Sequence, residues 1–327
     1  MHRMFTTIGI IYVETEFGNI KKEIFMTLDR KISEKIPPGS YKQDREETGR
    51  LTLTEKAEDR AIYKGVQYCK CRYLRGNGES VWVYLITVLP DAPAKLAVSA
   101  ASLGTVKMVK RHASEFDGYV ICAMNAGYFH FFNNGDLTPY GIQVVHGEEM
   151  FPPGKDKPEY SNNWVGFSKQ GQIVFGNAED YDKYWRHKLE YAVGGGMRLI
   201  QNGEICLWED SRKAPRTTIG IADDGTLILM CADGRSPLSA GLTYGDVIDV
   251  YTGLGYRIKE LLNLDGGGST TLVMRTDNGD FAVENIPSGP PLPVSYPKYD
   301  LPKPQPCGDS QARAVADCIL IVATDQS

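Results

Sequence analysis

The sequence predicts an α+β fold built on largely antiparallel or mixed β-sheets with flanking helices. Two observations carry this. β-rich apolar runs outnumber helical stretches, and most neighbouring runs are joined by short Gly-containing turns of the kind that close hairpins. The first hairpin is expected from residues 62–74 and 81–89 around Arg75-Gly76-Asn77-Gly78, with Cys69 and Cys71 on one strand face because side chains alternate with period two. Thr105, Val106, Val109, Ala113 and Phe116 have helical spacing, and Gly118 suits the stop. A buried strand over 119–124 follows, then a polar turn at 125–128, short strands around 141–145 and 164–167, and a hairpin turn at 170–172. Residues 180–191 read as a helix, with Gly194-Gly195-Gly196 breaking it. Asn202-Gly203 and Asp223-Asp224-Gly225 mark two more hairpins. Thr243 with Asp246 three residues on makes a capping box; Val247, Val250, Tyr251 and Leu254 form one helix face, and Gly255 ends it. Residues 258–264 form a strand that delivers the chain to Asp265, a hairpin turns at 277–280, a Pro-rich stretch covers 287–306, and 315–323 is a final buried strand.

A short echo links two places. In each, a helix ends at Gly-Tyr (118–119, 255–256), a strand follows, and a glycine turn closes it: Asn125-Ala126-Gly127 in one, Asp265-Gly266-Gly267 in the other. It suggests two related halves whose turns meet.

The 327 residues allow two domains or one large one. Residues 1–60 are rich in charge, so a boundary is placed near 60, separating an N-terminal extension from a domain over 61–327. With 36 Lys and Arg against 41 Asp and Glu, the net charge of -5 argues against broad binding to nucleic acid or anionic lipid, which needs surplus cations. The longest apolar run, 81–89, is far short of the roughly 20 residues of a membrane span. The N-terminus lacks a signal-peptide cleavage pattern. Seven cysteines, an odd count with several inside apolar runs, read as reduced thiols. A cytoplasmic location is therefore expected, with an extracellular or virion setting left open.

The sharpest local feature is Asn263-Leu264-Asp265-Gly266-Gly267-Gly268-Ser269-Thr270: a carboxylate at the end of an apolar strand, followed by three glycines and two hydroxyls. Consecutive glycines cost conformational entropy and make sense where backbone N–H groups approach a ligand, as in an anion-binding nest. The alternative is a crowded turn. No Gly-Lys-Ser/Thr follows, so it is not a P-loop. Pro215-Arg216-Thr217 enters one strand of a predicted hairpin and Asp233-Gly234-Arg235 leaves the other, placing Arg216 and Asp233 at one open end. They form either a structural ion pair or a site in which Arg216 or Arg235 grips an anionic oxygen. Asn125-Ala126-Gly127-Tyr128-Phe129 offers an amide and aromatics to a sugar, or a turn with core aromatics. Other chemistries fail on spacing: the five histidines make no zinc motif, no Gly-x-Ser-x-Gly elbow occurs, and Cys69-x-Cys71 lacks the Cys-x-x-Cys spacing of redox enzymes.

Taken in order, Asn125 to Phe129, Gly194 to Gly196, Pro215-Arg216-Thr217, Asp233-Gly234-Arg235, Gly241-Leu242-Thr243, Asn263 to Ser269 and Arg313-Ala314-Val315-Ala316-Asp317 resemble the phosphodiester glycosidase family. The resemblance implies hydrolysis of the bond between the anomeric carbon of a sugar, of the N-acetylglucosamine type, and a phosphodiester. Such a reaction passes an oxocarbenium-like transition state and leaves charge on a phosphate. On this reading Asp265 is the nucleophile or water-activating base and Asp233 its partner carboxylate. Asn125 fixes the sugar, while Arg216, Arg235, the Gly266-Gly267-Gly268-Ser269 nest and Arg313 hold the phosphate. Two carboxylates and a phosphate also leave a divalent cation open. The rival readings are a sugar-phosphate-binding module without turnover and a phosphodiesterase cutting P–O rather than C–O.

Overall fold

The computed structural model describes residues 50–131, 137–154, 162–206, 212–289 and 312–325, all within one compact unit, Arg45–Ser327. The Pro-rich stretch, from residue 290 onward, and most of the N-terminal extension lie outside the described residues. Strands run in the order β1 (Thr52–Tyr63), β2 (Val66–Leu74), β3 (Ser80–Val88) and β4 (Ala94–Ala100), then helix α1 (Val109–Ser114). Next come β5 (Val120–Asn125), β6 (Phe129–Phe131), β7 (Leu137–Pro139), β8 (Gln143–Val145), β9 (Glu148–Phe151), β10 (Asn163–Ser168) and β11 (Ile173–Asn177). After these lie β12 (Leu189–Gly195), β13 (Arg198–Gln201), β14 (Glu204–Ile205), β15 (Arg216–Ala222) and β16 (Leu227–Ala232). Helix α2 (Tyr244–Gly253) precedes β17 (Ile258–Asn263), β18 (Leu272–Arg275), β19 (Phe281–Val283) and β20 (Asp317–Ala323).

These strands make an eight-stranded sheet (β1-β2-β3-β16-β15-β17-β13-β14), two five-stranded sheets (β19-β18-β5-β20-β4 and β11-β10-β12-β8-β9) and the β6-β7 ribbon. The pairings among the described strands are antiparallel, as the hairpin turns predict. Period-two alternation divides the interior. On β3, Tyr84 and Ile86 face the five-stranded sheet of β5 and β20, whereas Val81, Val83 and Leu85 face α2 with Val247, Val250 and Tyr251. On β10 and β12, Val165, Phe167, Tyr191 and Val193 join that central core, while Trp164, Leu189 and Ala192 turn to a smaller cluster with Tyr181.

Helix α2 starts on the expected capping box: the Thr243 hydroxyl accepts from the Asp246 N–H, and the Asp246 side chain accepts from the Thr243 N–H. Gly255 beyond it adopts φ +84°. Asn202 and Gly203, both at positive φ, close the β13–β14 hairpin as predicted. The helix expected over 105–116 is confined to Val109–Ser114. The helix expected over 180–191 is replaced by a single turn at Ala178–Asp180, capped by Asn177 and continued as a π-turn through Trp185. From Leu189 the chain is already β12, because antiparallel pairing with β10 and burial of both faces of the strand, Tyr191 and Val193 on one and Ala192 on the other, override the helical appearance. The three glycines therefore end a strand, and a Cβ on Gly194 would lie 2.6 Å from the Cα of Gly141. The boundary expected near residue 60 falls inside β1, where Arg60 pairs with Tyr68. The two echoed turns do meet, through Asn125, Ala126 and Asp265; that contact alone does not relate two halves.

Candidate active site

The ends of β5, β16 and β17 and the starts of β15 and β20 converge at one edge of the two main sheets. Asp265 arrives there at the end of β17. Its N–H donates to the Ala126 carbonyl at 2.8 Å, and its own carbonyl accepts from Asn125 Nδ2 at 2.6 Å. Asn125 Oδ1 accepts from the Thr217 hydroxyl and the Thr271 N–H, both at 3.0 Å. The Asn125 amide is thus occupied in stitching β5 to the Asp265 turn.

The residue that sequence reasoning left without a role is Asp317. It opens β20, is 1% exposed, and accepts from the Gly127 N–H at 2.6 Å and from Gln143 Nε2. Burial pushes its carboxyl up to about 6, with those two donors opposing the rise. Half-buried Asp265 is pushed up to about 7, mainly by desolvation and further by the charge of Asp317. The Ser269 hydroxyl, the Arg313 guanidinium and the Gly266 N–H oppose it. The two carboxylates lie close enough for the charge of Asp317 to disfavour ionising Asp265. A sequence signal for Asp317 exists: it borders a strand of unbroken apolar residues, Cys318 to Ala323.

Asp233 sits apart from this pair. One of its oxygens accepts from the Tyr84 hydroxyl (2.8 Å), and the other from Asn285 Nδ2 (3.2 Å) and the Ile286 N–H (2.9 Å). Burial raises it to about 6, yet the donors around it tie the carboxylate into the scaffold. Arg216 is similarly engaged: Nε donates to the Leu242 carbonyl at 2.9 Å, Nη2 to the Arg212 carbonyl at 2.8 Å, and the guanidinium lies 4.1 Å over the Tyr244 ring. The anticipated pairing of Arg216 with Asp233 gives way to these partners.

The triple glycine is a crowded crossing. A Cβ on Gly266 would lie 2.6 Å from the Pro215 carbonyl oxygen. One on Gly268 would lie 2.9 Å from Gly289 Cα and 2.6 Å from an Arg313 nitrogen, and one on Gly267, at φ +60°, 3.0 Å from Arg235. Several N–H groups of the turn are spent internally: Gly267 on the Pro215 carbonyl and Ser269 on the Gly266 carbonyl. What the glycines admit is two guanidinium groups, from exposed Arg235 and half-buried Arg313, against the turn that carries Asp265. Among the described residues, no group of three or more His, Cys, Asp or Glu side chains is placed to hold a metal ion.

The model of the phosphodiester glycosidase family matches residues 118–322, which include Asp233, Asp265, Arg313 and Asp317. The SPbeta prophage-derived uncharacterized protein YomE of Bacillus subtilis (strain 168) is 32% identical over 210 residues. That match takes in 60% of this chain but only 30% of the relative's length. Among solved structures, the zebrafish N-acetylglucosamine-1-phosphodiester alpha-N-acetylglucosaminidase catalytic domain, auto-inhibited by its pro-peptide, superposes with a TM-score of 0.56 at 19% identity, covering 88% of this chain and 94% of that one. A predicted exported protein of Burkholderia pseudomallei K96243 gives 0.54 at 12% identity, covering 83% and 96%. These two share the fold. No helix among the described residues is long and apolar enough to cross a membrane, and nothing in the comparisons supports the expected cytoplasmic location. By the reach of the family match over the sheets and the carboxylate site, this chain belongs to the phosphodiester glycosidase family.

Proposed function

We propose that the protein hydrolyses the C1–O bond of a sugar-1-phosphodiester, releasing free sugar and a phosphomonoester. The observation that carries this is the juxtaposition of Asp265 and Asp317, both raised by burial, with the Arg313 charge bearing on Asp265. Asp265 is the acting carboxylate, as nucleophile or as base toward water, because it is the member with solvent access. Asp317, held by Gly127 and Gln143, takes the partner role that the sequence assigned to Asp233. The charge of Asp317 adds to the rise of the Asp265 carboxyl.

The departing phosphate monoester is a weak base and needs electrostatic help more than a proton. Arg313 and Arg235, on either side of the glycine turn, supply that charge. The name of the zebrafish relative makes N-acetylglucosamine-1-phosphodiesters the first substrates to try. Proton and phosphorus NMR against a panel of sugar-1-phosphodiesters, nucleotide sugars included and with a chelator arm, tests the reading. Free sugar and phosphomonoester that disappear in Asp265→Asn support it. Ligand line-broadening without turnover points to a binding module, and solvent oxygen-18 appearing in the phosphate points to P–O cleavage.

A further inference from the structure

Strand β2 carries Cys69 and Cys71 two residues apart, and the pleat places both thiols on one face, with the sulfurs 3.1 Å from each other. The two differ in access. Cys71 is buried against the α2 side of the sheet, whereas Cys69 is partly exposed. On the neighbouring edge strand, the pairing register slips between Lys56 and Glu58, next to the Lys56–Cys71 pair, so β1 is bulged alongside the thiols. Lys56 itself is exposed, and its positive charge bears on both sulfurs. Among the described residues no third ligand accompanies the pair.

We propose that Cys69 and Cys71 form a thiol–disulfide exchange site that reacts with small-molecule disulfides of the glutathione class. The Cys69 thiolate attacks one sulfur of the disulfide, forming a mixed disulfide and releasing one thiolate. Cys71 then gives up its proton, and its sulfur attacks the sulfur of Cys69, releasing the second thiolate. Two protein thiols are oxidised to one intrastrand disulfide, one small-molecule disulfide is reduced to two thiols, and the two protons lost by the protein are taken up by the leaving thiolates. Burial pushes the Cys71 thiol up to about 12, so the more accessible Cys69 is the sulfur that meets the small disulfide first, and Cys71 resolves the bond through its contact with Cys69 at 3.1 Å.

The bridge is expected to be labile. Residues i and i+2 of a strand stand roughly 6.6 Å apart, near the upper limit for a disulfide, and a ring closed over one residue gains little chain entropy. Exchange in both directions therefore fits better than a permanent staple.

The test uses the full chain, reduced, desalted, treated with oxidised glutathione, blocked with iodoacetamide and digested with trypsin. Trypsin cuts after Lys64, Lys70 and Arg72, so the bridge joins peptide 65–70 to the dipeptide 71–72. The expected result is this linked pair in the wild type, its reversal by dithiothreitol, and a glutathione adduct trapped on Cys69 in Cys71→Ser. Recovery of both cysteines alkylated, or a stable adduct on Cys69 while Cys71 stays free in the wild type, overturns the proposal. Because the decisive readout is on the wild type, a variant that fails to fold does not blunt it.

Discussion

Replacing Asp265 by Asn should stabilise the protein at alkaline pH. The carboxyl rises from 3.8 in the unfolded chain to about 7 in the fold, chiefly because it is desolvated. A raised carboxylate favours the fold while protonated and works against it once ionised. Its contribution is intact below about pH 4 and is lost as pH climbs through about 7. The rise corresponds to roughly 4 kcal/mol as an upper bound, and discounting for solvent around a half-buried group leaves about 2 kcal/mol. Asn does not titrate, so the variant escapes this loss, and removing the charge also relieves Asp317. At roughly 2–4 °C per kcal/mol, the variant should melt about 4–8 °C above the wild type near pH 8. The gap should shrink toward a pH-independent baseline near pH 4, set by altered hydrogen bonding alone. Calorimetry on both proteins across that range measures it. A melting difference that does not change with pH would refute the claim that Asp265 is a desolvated, strained carboxylate.

Asp233→Ala strands the Tyr84 hydroxyl, the Asn285 amide and the Ile286 N–H, and should cost on the order of 3 kcal/mol in urea unfolding at neutral pH. The milder Asp233→Asn should keep more sugar-phosphodiester hydrolysis than Asp265→Asn does; equal loss in both would return Asp233 to the catalytic pair. Gly268→Ala presses a Cβ onto the Gly289 backbone, so about 1–3 kcal/mol of stability and at least about tenfold in kcat/KM should be lost. His112 is buried between the Ser99 hydroxyl and the Val315 carbonyl, and burial lowers its pKa from 6.5 to about 4. The fold keeps it neutral, so its contribution is present above about 6.5 and lost as pH falls toward about 4. His112→Gln should flatten acid destabilisation over that window, as read from urea midpoints.

Local signals were most legible where chemistry is local. Asn202-Gly203, the Thr243–Asp246 capping box and the apolar strands before Asp265 and after Asp317 are written in residues near one another. The misread stretch, 180–191, fails because β12 draws its identity from β10, a partner absent from the local pattern. The site divides in the same way. Asp265 could be singled out by its surroundings in the chain, whereas Arg313, by its surroundings a surface cation, entered only through the family resemblance. Asp317 could be paired with Asp265 only once Gly127 and Gln143 were seen to hold it. Arg216 and Asp233 looked catalytic because charge beside glycine and proline is an ambiguous cue; their partners, Leu242 and Arg212 for one and Tyr84 and Asn285 for the other, are set by the tertiary fold.

The stitching of Gly127 to Asp317 and of Asn125 to Asp265 spans 190 and 140 residues of chain. Contacts of such separation form late, because the loops they close are long and their entropy must be met first. β20 moreover occupies an interior position in its sheet, between β5 and β4. A chain emerging from the ribosome therefore carries Asp265 well before it carries the strand that completes the carboxylate pair. On the proposed mechanism, hydrolysis should appear only once β20 docks, leaving chains that lack it silent.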